Sequence, residues 1–472
     1  MRITFIGHAS ILVEVGGITI LSDPWWRAPC FGAQWWNYPP ANIEAVSGRH
    51  IDYIYISHGH HDHFHSGTLN TLNRDARILV SRKTELAPAV KELGFEVVEL
   101  DDDQEYPLAA GVTCRVMETH ARDTLMALSD GQEVCININD ALHSAPQDVQ
   151  SRFIERLNSL YPAIDYVFCG YGVASHFPNC YVIPGKNPAA TAMHRQAYFN
   201  RQWARLVAGL NPRYAFPFAA DVVFLEDDLF WVNEPTHNGE RPTAAFKSLY
   251  PQSTIKVVDI APGFVIEDRE IVRVVHRQPV RSEDLRAHCP DEIERANRYG
   301  SVREEDVNSI AELLKENLAI CADYLRSYDG DYRFLIKFRN SQWGIRVEKR
   351  GREVSLAPVE EDAATPAGYD VIFTTRAPYL RRSLVRPFGD EVLFVGSGGV
   401  FKYSDQAKAR RNLHRELMPL LRKNEAPPRS RYGKSSKHVY KAKQLVKRLL
   451  GRTEPDLYDL GSWSVFSSEA PR

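Results

Sequence analysis

The densest run of chemically active side chains is YIYISHGHHDHFH, residues 53–65, where five histidines and one aspartate follow an alternating apolar stretch. Within it, His58, His60, Asp62 and His63 match the pattern H-x-H-x-D-H. Residues two apart in an extended loop project to the same side, so His58 and His60 are predicted to bind one metal ion together. Asp62 and His63 follow where the loop turns into the next helix, and they are predicted to face a second ion.

The ligand types restrict the choice of metal. Imidazole and carboxylate ligands without a thiolate suit zinc, iron or manganese. The alternative is a solvated histidine-rich loop, because His61 and His65 fit no ligand role. We favour a metal site, since four ligand residues in this register behind a buried strand rarely arise by chance.

A pair of metal ions needs further ligands from other strand ends. His120 ends the predicted strand CRVMET, and Asp140 ends VCININ. His120 would complete a set of three histidines for the first ion, and Asp140 would bridge both ions. A single histidine or aspartate at a strand end is usually structural. The assignments of His120 and Asp140 therefore depend on the position of these residues after the histidine motif.

The elements that must position these residues follow from the apolar pattern. RITFIG, SILVEVGG and ITILSDP alternate in strand fashion and predict a β-meander over the first 30 residues. From residue 50 onward, predicted strands and helices alternate, including a long helix at about 188–209. This order predicts an α/β fold with two sheets sandwiched by helices, ending near residue 265.

A charged segment at 281–305 is the predicted domain boundary. We expect a metal-binding catalytic domain at 1–270, an α+β accessory domain at 281–420 and a basic C-terminal tail at 421–472. Residues 422–452 carry eleven Lys or Arg against one acidic residue. A solvated or packed amphipathic helix is the favoured interpretation of that stretch, and a surface for an anionic substrate or lipid is the alternative.

Composition excludes several classes of protein. The net charge of -2 over 472 residues does not favour nucleic acid as a partner. We find no run of about 18 apolar residues and no signal-peptide pattern, so we expect no transmembrane segment and a cytoplasmic location. The seven cysteines lie far apart, with no C-x-x-C and no Rieske-type C-x-H…C-x-x-H pairs.

The motif H-x-H-x-D-H resembles that of the metallo-β-lactamase superfamily, over roughly residues 1–265. The opening FIGHASILVEVGGITILSDP is similar to the branch with the ascorbate-6-phosphate lactonase and the N-acyl-phosphatidylethanolamine phospholipase. The resemblance implies an αββα metallo-β-lactamase sandwich followed by the C-terminal α+β domain, with His8 and Asp23 beside the metal ligands. Asp23 would accept an N–H from a ligand imidazole and so set its tautomer; a buried turn aspartate is the alternative.

Another similarity concerns NIND, residues 137–140, where most of the superfamily has a Gly-Asp pair. This segment resembles the metallo-β-lactamase part of the CMP-N-acetylneuraminate hydroxylases, which also carry an α+β region after that domain. RAPYLRRSLVRPFGDEVLFVGSGGVFKYSD is similar to that region, and it also has a faint likeness to a sterol-carrier-type fold.

The sequence departs from the superfamily at its last histidine, which usually binds the second metal and would stand near RYAFPFAA here. No histidine is present in that stretch. Asp221, Glu226, His176 or His237 would have to substitute, and the sequence does not choose among them. A carboxylate in place of imidazole favours iron over zinc.

Three functions remain open. An O₂-dependent diiron oxygenase acting on a polar or anionic small molecule is favoured, and it requires an external electron donor. The second is a hydrolase of phosphodiesters, lactones or amides that uses a metal-bound hydroxide. The third is a non-catalytic metal-binding protein. The cofactor prediction is two divalent ions, with iron favoured and zinc or manganese as alternatives.

The loop DPWWRAPCFGAQWWNYPP holds four of the eight tryptophans. Trp25, Trp26, Trp35 and Trp36 are predicted to form a lid that stacks on a sugar, base or aromatic ring. The alternative is that they cover the edge of the sandwich.

Overall fold

The computed structural model describes residues 1–119, 123–172, 177–326, 330–360, 368–410, 413 and 417–424. The strands are β1 Arg2–Gly7, β2 Ser10–Val15, β3 Ile18–Ser22, β4 Trp36–Asn37, β5 Tyr53–Tyr55, β6 Arg77–Ser81, β7 Glu96–Leu100, β8 Glu105–Ala109, β9 Val112–Glu118, β10 Thr124–Ser129, β11 Val134–Asn139, β12 Tyr166–Gly170, β13 Tyr181–Val182, β14 Tyr214–Phe218, β15 Val222–Val223, β16 Lys256–Val257, β17 Val265–Glu267, β18 Glu270–Arg273, β19 Tyr332–Phe338, β20 Trp343–Arg350, β21 Glu353–Glu360, β22 Val371–Thr375 and β23 Gly399–Tyr403.

The α-helices are α1 Ser66–Leu69, α2 Ala87–Glu92, α3 Gln147–Leu160, α4 Pro188–Leu210, α5 Asn233–His237, α6 Pro242–Leu249, α7 Ser282–His288, α8 Pro290–Asn297, α9 Glu304–Arg326, α10 Ala377–Val385, α11 Glu391–Phe394 and α12 Gln406–Arg410. Short 3-10 helices lie at Ile43–Ala45, Arg82–Thr84 and Phe230–Val232.

The first sheet has the order β18-β17-β1-β2-β3-β5-β6-β7. It contains the predicted meander, in which β1, β2 and β3 pair antiparallel. Gly16 and Gly17 turn the chain between β2 and β3 with φ of 54° and 80°, the combination that a tight hairpin turn needs and that glycine adopts without strain. The half that contains β3, β5 and β6 is parallel, so their C-terminal ends point the same way.

The second sheet has the order β16-β14-β12-β11-β10-β9-β8. Strands β11, β12, β14 and β16 pair in parallel. The strands β11, β12 and β14 are almost completely buried and rich in apolar residues, as expected for strands covered on both faces.

Three apolar clusters define the layers of this part of the chain. One contains residues of both sheets, for example Ile11 and Tyr53 with Phe168 and Phe216, and is therefore the core between them. A second packs the other face of the second sheet against helices such as α4, through Trp203. A third covers the outer face of the first sheet. The predicted αββα sandwich is confirmed.

The chain forms two compact units. The first comprises the described parts of 1–173, with 196–224 and 233–288. The second comprises the described parts of 174–195, with 225–232 and the described residues from 289 onward. Two segments inside the predicted 1–270 domain thus belong to the second unit, and the boundaries 1–270, 281–420 and 421–472 stay predictions.

The second unit contains a six-stranded sheet of order β13-β23-β22-β19-β20-β21 with helices α8 to α11 beside it in sequence. Strands β19, β20 and β21 form an antiparallel meander, and β22 returns parallel to β19. This is an α+β arrangement, as predicted. Residues 425–472 of the predicted basic tail lie outside the described residues. Among the helices that are described, none has the length and apolar content needed to cross a bilayer.

Candidate metal centre

The H-x-H-x-D-H loop begins directly after β5, in the parallel half of the first sheet. The backbone N–H groups of His63 and Phe64 donate to the His60 carbonyl at 3.0 and 2.8 Å, closing one turn. This turn places Asp62 and His63 beside His58 at the strand end. His58 and Asp62 are 3% exposed and His63 is fully buried, so the loop directs these three predicted ligands inward, whereas His60 is partly exposed.

Asp23 orients the imidazole of His63. One Asp23 oxygen lies 2.9 Å from His63 Nδ1, and the carboxylate also accepts from the Ser57 backbone N–H at 2.8 Å and hydroxyl at 2.7 Å. A carboxylate accepts only, so Nδ1 donates to Asp23, and Nε2 is the nitrogen left to bind a metal ion in place of its own proton. Nε2 lies 3.3 Å from Asp62 Oδ2 and 3.6 Å from Asp140 Oδ2.

His8 holds Asp62 in the same way. His8 Nε2 lies 2.9 Å from Asp62 Oδ2, and both side chains are buried. The ring of His8 packs edge-on against Trp25, with centroids 5.1 Å apart, and its carbonyl accepts from the Ala219 N–H at 2.9 Å. The backbone around His8 is thus tied to the end of β14 in the second sheet.

His58 connects His60 to the rest of the cluster. His58 Nε2 and His60 Nδ1 are 2.8 Å apart, and the rings of His58 and His63 lie 4.1 Å apart. Burial lowers the pKa of His58 well below its ordinary value, and the neighbouring His63 and His60 lower it further. His58 is therefore neutral at neutral pH, which is the form of imidazole that binds metal.

Asp140 comes from the opposite sheet. It follows β11, where Asn139 adopts a positive φ of 51° next to an irregularity in the pairing of β11 with β12. Although burial opposes its charge, the imidazole of His63 lowers the pKa of Asp140 well below its ordinary value. A second carboxylate therefore stays ionised within a buried cluster.

The ligand atoms of His8, Asp62 and His63 lie within 4.8 Å of one another, and so do those of His58, His63 and Asp140. These side chains fit a divalent cation, as three observations indicate. His63 Nε2 and Asp140 Oδ1 are buried without a hydrogen-bond partner. The donor set is imidazole and carboxylate, which suits zinc, iron or manganese. Although burial opposes its charge, Asp62 and Asp23 raise the pKa of His63 well above its ordinary value, so the cluster attracts positive charge.

Comparison with known protein families agrees with this arrangement, because residues 2–140 match the model of the beta-lactamase superfamily domain. The metallo-β-lactamase resemblance predicted from the motif is confirmed. The superfamily match includes both sheet ends that carry the cluster, from His8 to Asp140.

The superfamily domain has relatives with different names. A protein named as a Rieske 2Fe-2S iron-sulfur protein from Mycobacterium tuberculosis is 27% identical over 261 residues, which cover 52% of this chain and 48% of that protein. The chain thus matches about half the length of that relative. The cytidine monophosphate-N-acetylneuraminic acid hydroxylase of Asterias rubens is 36% identical over 77 residues, 16% of this chain and 12% of the hydroxylase. A metal-dependent hydrolase of Pyrobaculum neutrophilum is 28% identical over 154 residues, 33% of this chain and 56% of the hydrolase.

Two predicted ligand positions, His120 and His176, lie outside the described residues, and their roles stay predictions. The other three candidates for the last ligand have partners of their own. Asp221 accepts from Arg277 at 2.5 Å, and His237 Nε2 donates to the Val222 carbonyl at 2.7 Å. In the second unit, the Arg376 guanidinium hydrogen-bonds the Glu226 carboxylate. Neither these three residues nor His143 belongs to a ligand-atom group found among the described residues.

The tryptophan loop is mostly buried. Trp25, Trp35 and Trp36 are at most 8% exposed, and Trp26 is partly exposed. The indole N–H of Trp25 donates to the Ala28 carbonyl at 2.7 Å, so Trp25 supports His8 from inside the superfamily domain. A lid that stacks on substrate stays a prediction for these four residues.

The sequence reasoning missed Ser57 and His143. The Ser57 hydroxyl lies 3.0 Å from His58 Nδ1 and within reach of His63 Nδ1 at 3.3 Å. His143 is 4% exposed, and burial lowers its pKa below the ordinary value. The available signals were a hydroxyl directly before the first motif histidine and the spacing D-x-x-H after the strand VCININ.

Proposed function

We propose that this chain is a dinuclear-metal enzyme, with iron as its metal, that uses O₂ to oxidise a polar or anionic small molecule. The proposal of a metal enzyme rests on one observation: the buried Nε2 atom of His63 lies close to two carboxylates. It lies 3.3 Å from Asp62 Oδ2 and 3.6 Å from Asp140 Oδ2, with its other nitrogen committed to Asp23. His58, His60 and Asp140 would hold the ions together with these residues.

The names of the relatives support redox chemistry. One relative is named for a 2Fe-2S centre and another for hydroxylation. Incorporation of one oxygen atom from O₂ into a substrate consumes two electrons and two protons and releases the second atom as water. This chain has no Rieske-type cysteine and histidine pairs, so the proposal requires an external electron donor.

Charge indicates the substrate class. Two divalent ions bring four positive charges, and the carboxylates of Asp62 and Asp140 bring two negative charges. Both carboxylates are ionised, because His63 lowers the pKa of each against the effect of burial. The remaining positive charge favours an anionic or carbonyl-bearing substrate. When bound, the metal pair would supply Lewis acidity and electron transfer.

The residues of the chain would prepare the centre for that chemistry. Asp23 keeps the proton of His63 on Nδ1, and His8 directs Asp62 towards the cluster. Because these contacts are buried, the side chains are held in position and water is excluded from them.

A hydrolase is the second candidate, favoured by the 28% identity to a metal-dependent hydrolase over 154 residues. In that case the same side chains would hold ions that supply Lewis acidity for hydrolysis of a phosphodiester, lactone or amide. The ligand set of imidazole and carboxylate serves either reaction, so the metal and the need for O₂ distinguish them.

The test combines metal analysis with two assays on the full chain. We expect about two iron ions per chain and O₂ consumption that depends on an added reductant and mediator. The variant with both His58→Ala and His60→Ala should lose both properties. Zinc without iron, together with hydrolysis of bis(p-nitrophenyl) phosphate in the absence of O₂, would replace the oxygenase with the hydrolase. Absence of any stoichiometric metal would remove both.

A further inference from the structure

His143 lies on the turn after β11, three residues beyond Asp140, and its side chain is buried at 4% exposure. Its Nε2 is 2.5 Å from the Gly172 carbonyl oxygen. A carbonyl oxygen only accepts hydrogen bonds, so Nε2 carries the proton of the neutral ring. Nδ1 then presents a lone pair, and no group of the described residues donates a hydrogen bond to it. The backbone of Asp140, whose carbonyl is itself an acceptor, is also close to the ring.

Asp140 presents a second unpartnered acceptor nearby. Its Oδ2 faces His63, whereas its Oδ1 is buried without a hydrogen-bond partner. Oδ1 and His143 Nδ1 both lie near Gly170. A Cβ atom added to Gly170 would lie 3.0 Å from Asp140 Oδ1 and 3.2 Å from His143 Nδ1. Both atoms border the backbone of one residue that has no side chain. Two buried acceptors in one place require a cation or a hydrogen-bond donor between them.

The neighbouring strand end supplies no alternative ligand. The end of β14 and the residues after it read Phe218, Ala219 and Ala220, which are apolar. Ala220 packs against Gly172, where an added Cβ would lie 2.5 Å from the Ala220 Cβ. Gly172 is the residue whose carbonyl orients His143. The imidazole of His143 therefore lies beside the strand end where the superfamily resemblance expects a last histidine and where this chain has none.

We infer that His143, through Nδ1, is a ligand of the metal ion that shares Asp140. The Gly172 carbonyl sets its tautomer, and the missing side chain of Gly170 leaves room for the approach. This inference rests on the proposed metal pair and names the imidazole that completes it.

The test is metal stoichiometry and affinity in the full chain, measured by titration of metal-free protein with Fe(II) under anaerobic conditions and with Co(II). His143→Ala and His143→Gln are the variants; glutamine keeps an N–H for the Gly172 carbonyl but is a poor ligand. His50→Ala is the matched control, since that imidazole is 62% exposed. Circular dichroism establishes that each variant is folded, and the glutamine variant decides if the alanine variant does not fold.

We expect two ions in wild type and in His50→Ala. In the His143 variants we expect at least a tenfold loss of affinity for one ion and altered Co(II) visible absorption, because the coordination sphere changes. Two ions retained with affinity within twofold of wild type and an unchanged Co(II) spectrum would overturn the inference and leave the proposed function intact. Failure of wild type to bind metal would overturn the proposed function itself.

Discussion

Asp23→Asn tests most directly how the centre is held together. In the structure the Asp23 carboxylate accepts from His63 Nδ1 at 2.9 Å and from the N–H and hydroxyl of Ser57 at 2.8 and 2.7 Å. An asparagine has one acceptor oxygen and one NH₂ group. The NH₂ group either faces a donor that the carboxylate had satisfied or forces His63 to move its proton to Nε2. A proton on Nε2 removes the lone pair that faces Asp62 and Asp140.

The magnitude follows from these contacts. Loss of a carboxylate that orients a ligand imidazole weakens metal binding by about 10- to 100-fold, which corresponds to about 1.4 to 2.7 kcal/mol. The unfolding free energy of the metal-free protein should also fall by about 1 to 3 kcal/mol, since a buried donor is left without its acceptor. The two effects are separable, because the first appears only in metal titrations.

The assay is competition with a chromogenic chelator for metal, together with urea unfolding of the metal-free protein. Asp75→Asn is the matched control, because that carboxylate is exposed and lies on the loop before β6. Metal affinity within twofold of wild type in Asp23→Asn would refute the argument that Asp23 sets the tautomer of His63.

Three further predictions concern other side chains of the first compact unit. Asp140→Ala should lose at least one of the two ions, since a bridging carboxylate cannot be replaced by water at equal strength; metal analysis showing both ions retained would refute the bridging role. His58→Ala combined with His60→Ala should remove both ions together, measured in the same way, and full occupancy would contradict it. Burial lowers the pKa of His237 to about 4, with Arg277 as a further cause. Because the unfolded state then binds more protons between about pH 6.5 and 4, stability should fall as pH falls through that window, by up to about 3 kcal/mol. His237→Gln should flatten this pH dependence in urea unfolding, and an unchanged slope would exclude His237 as its source.

Much of the fold could be predicted from the apolar pattern of the sequence. The meander of the first strands and the helix predicted at about 188–209, found at Pro188–Leu210, follow from periodicity and glycine placement. The elements on either side of the motif loop are short: the strand before it is Tyr53–Tyr55, and the helix after it is Ser66–Leu69.

The assignment of segments to compact units was harder to predict from the sequence. Residues 225–232 lie well inside the segment predicted as the first domain, yet they belong to the second compact unit. Local composition marks a charged linker, but it does not reveal that a short interior segment packs with residues much later in the chain. Packing partners at such separations depend on the assembled core.

The types and spacing of residues 58 to 63 by themselves predicted a metal-binding loop behind a buried strand, because side-chain periodicity and ligand chemistry are local properties. Only the tertiary structure decided which distant residues complete the cluster. It placed Asp23 against His63 Nδ1, His8 against Asp62, and Asp140 from the opposite sheet within 3.6 Å of His63. It also committed Asp221 and His237 to Arg277 and the Val222 carbonyl, and left His143 Nδ1 unpartnered. Hydrogen-bond partners across two sheets are set by how the strands align when the core packs, and no local pattern records that alignment.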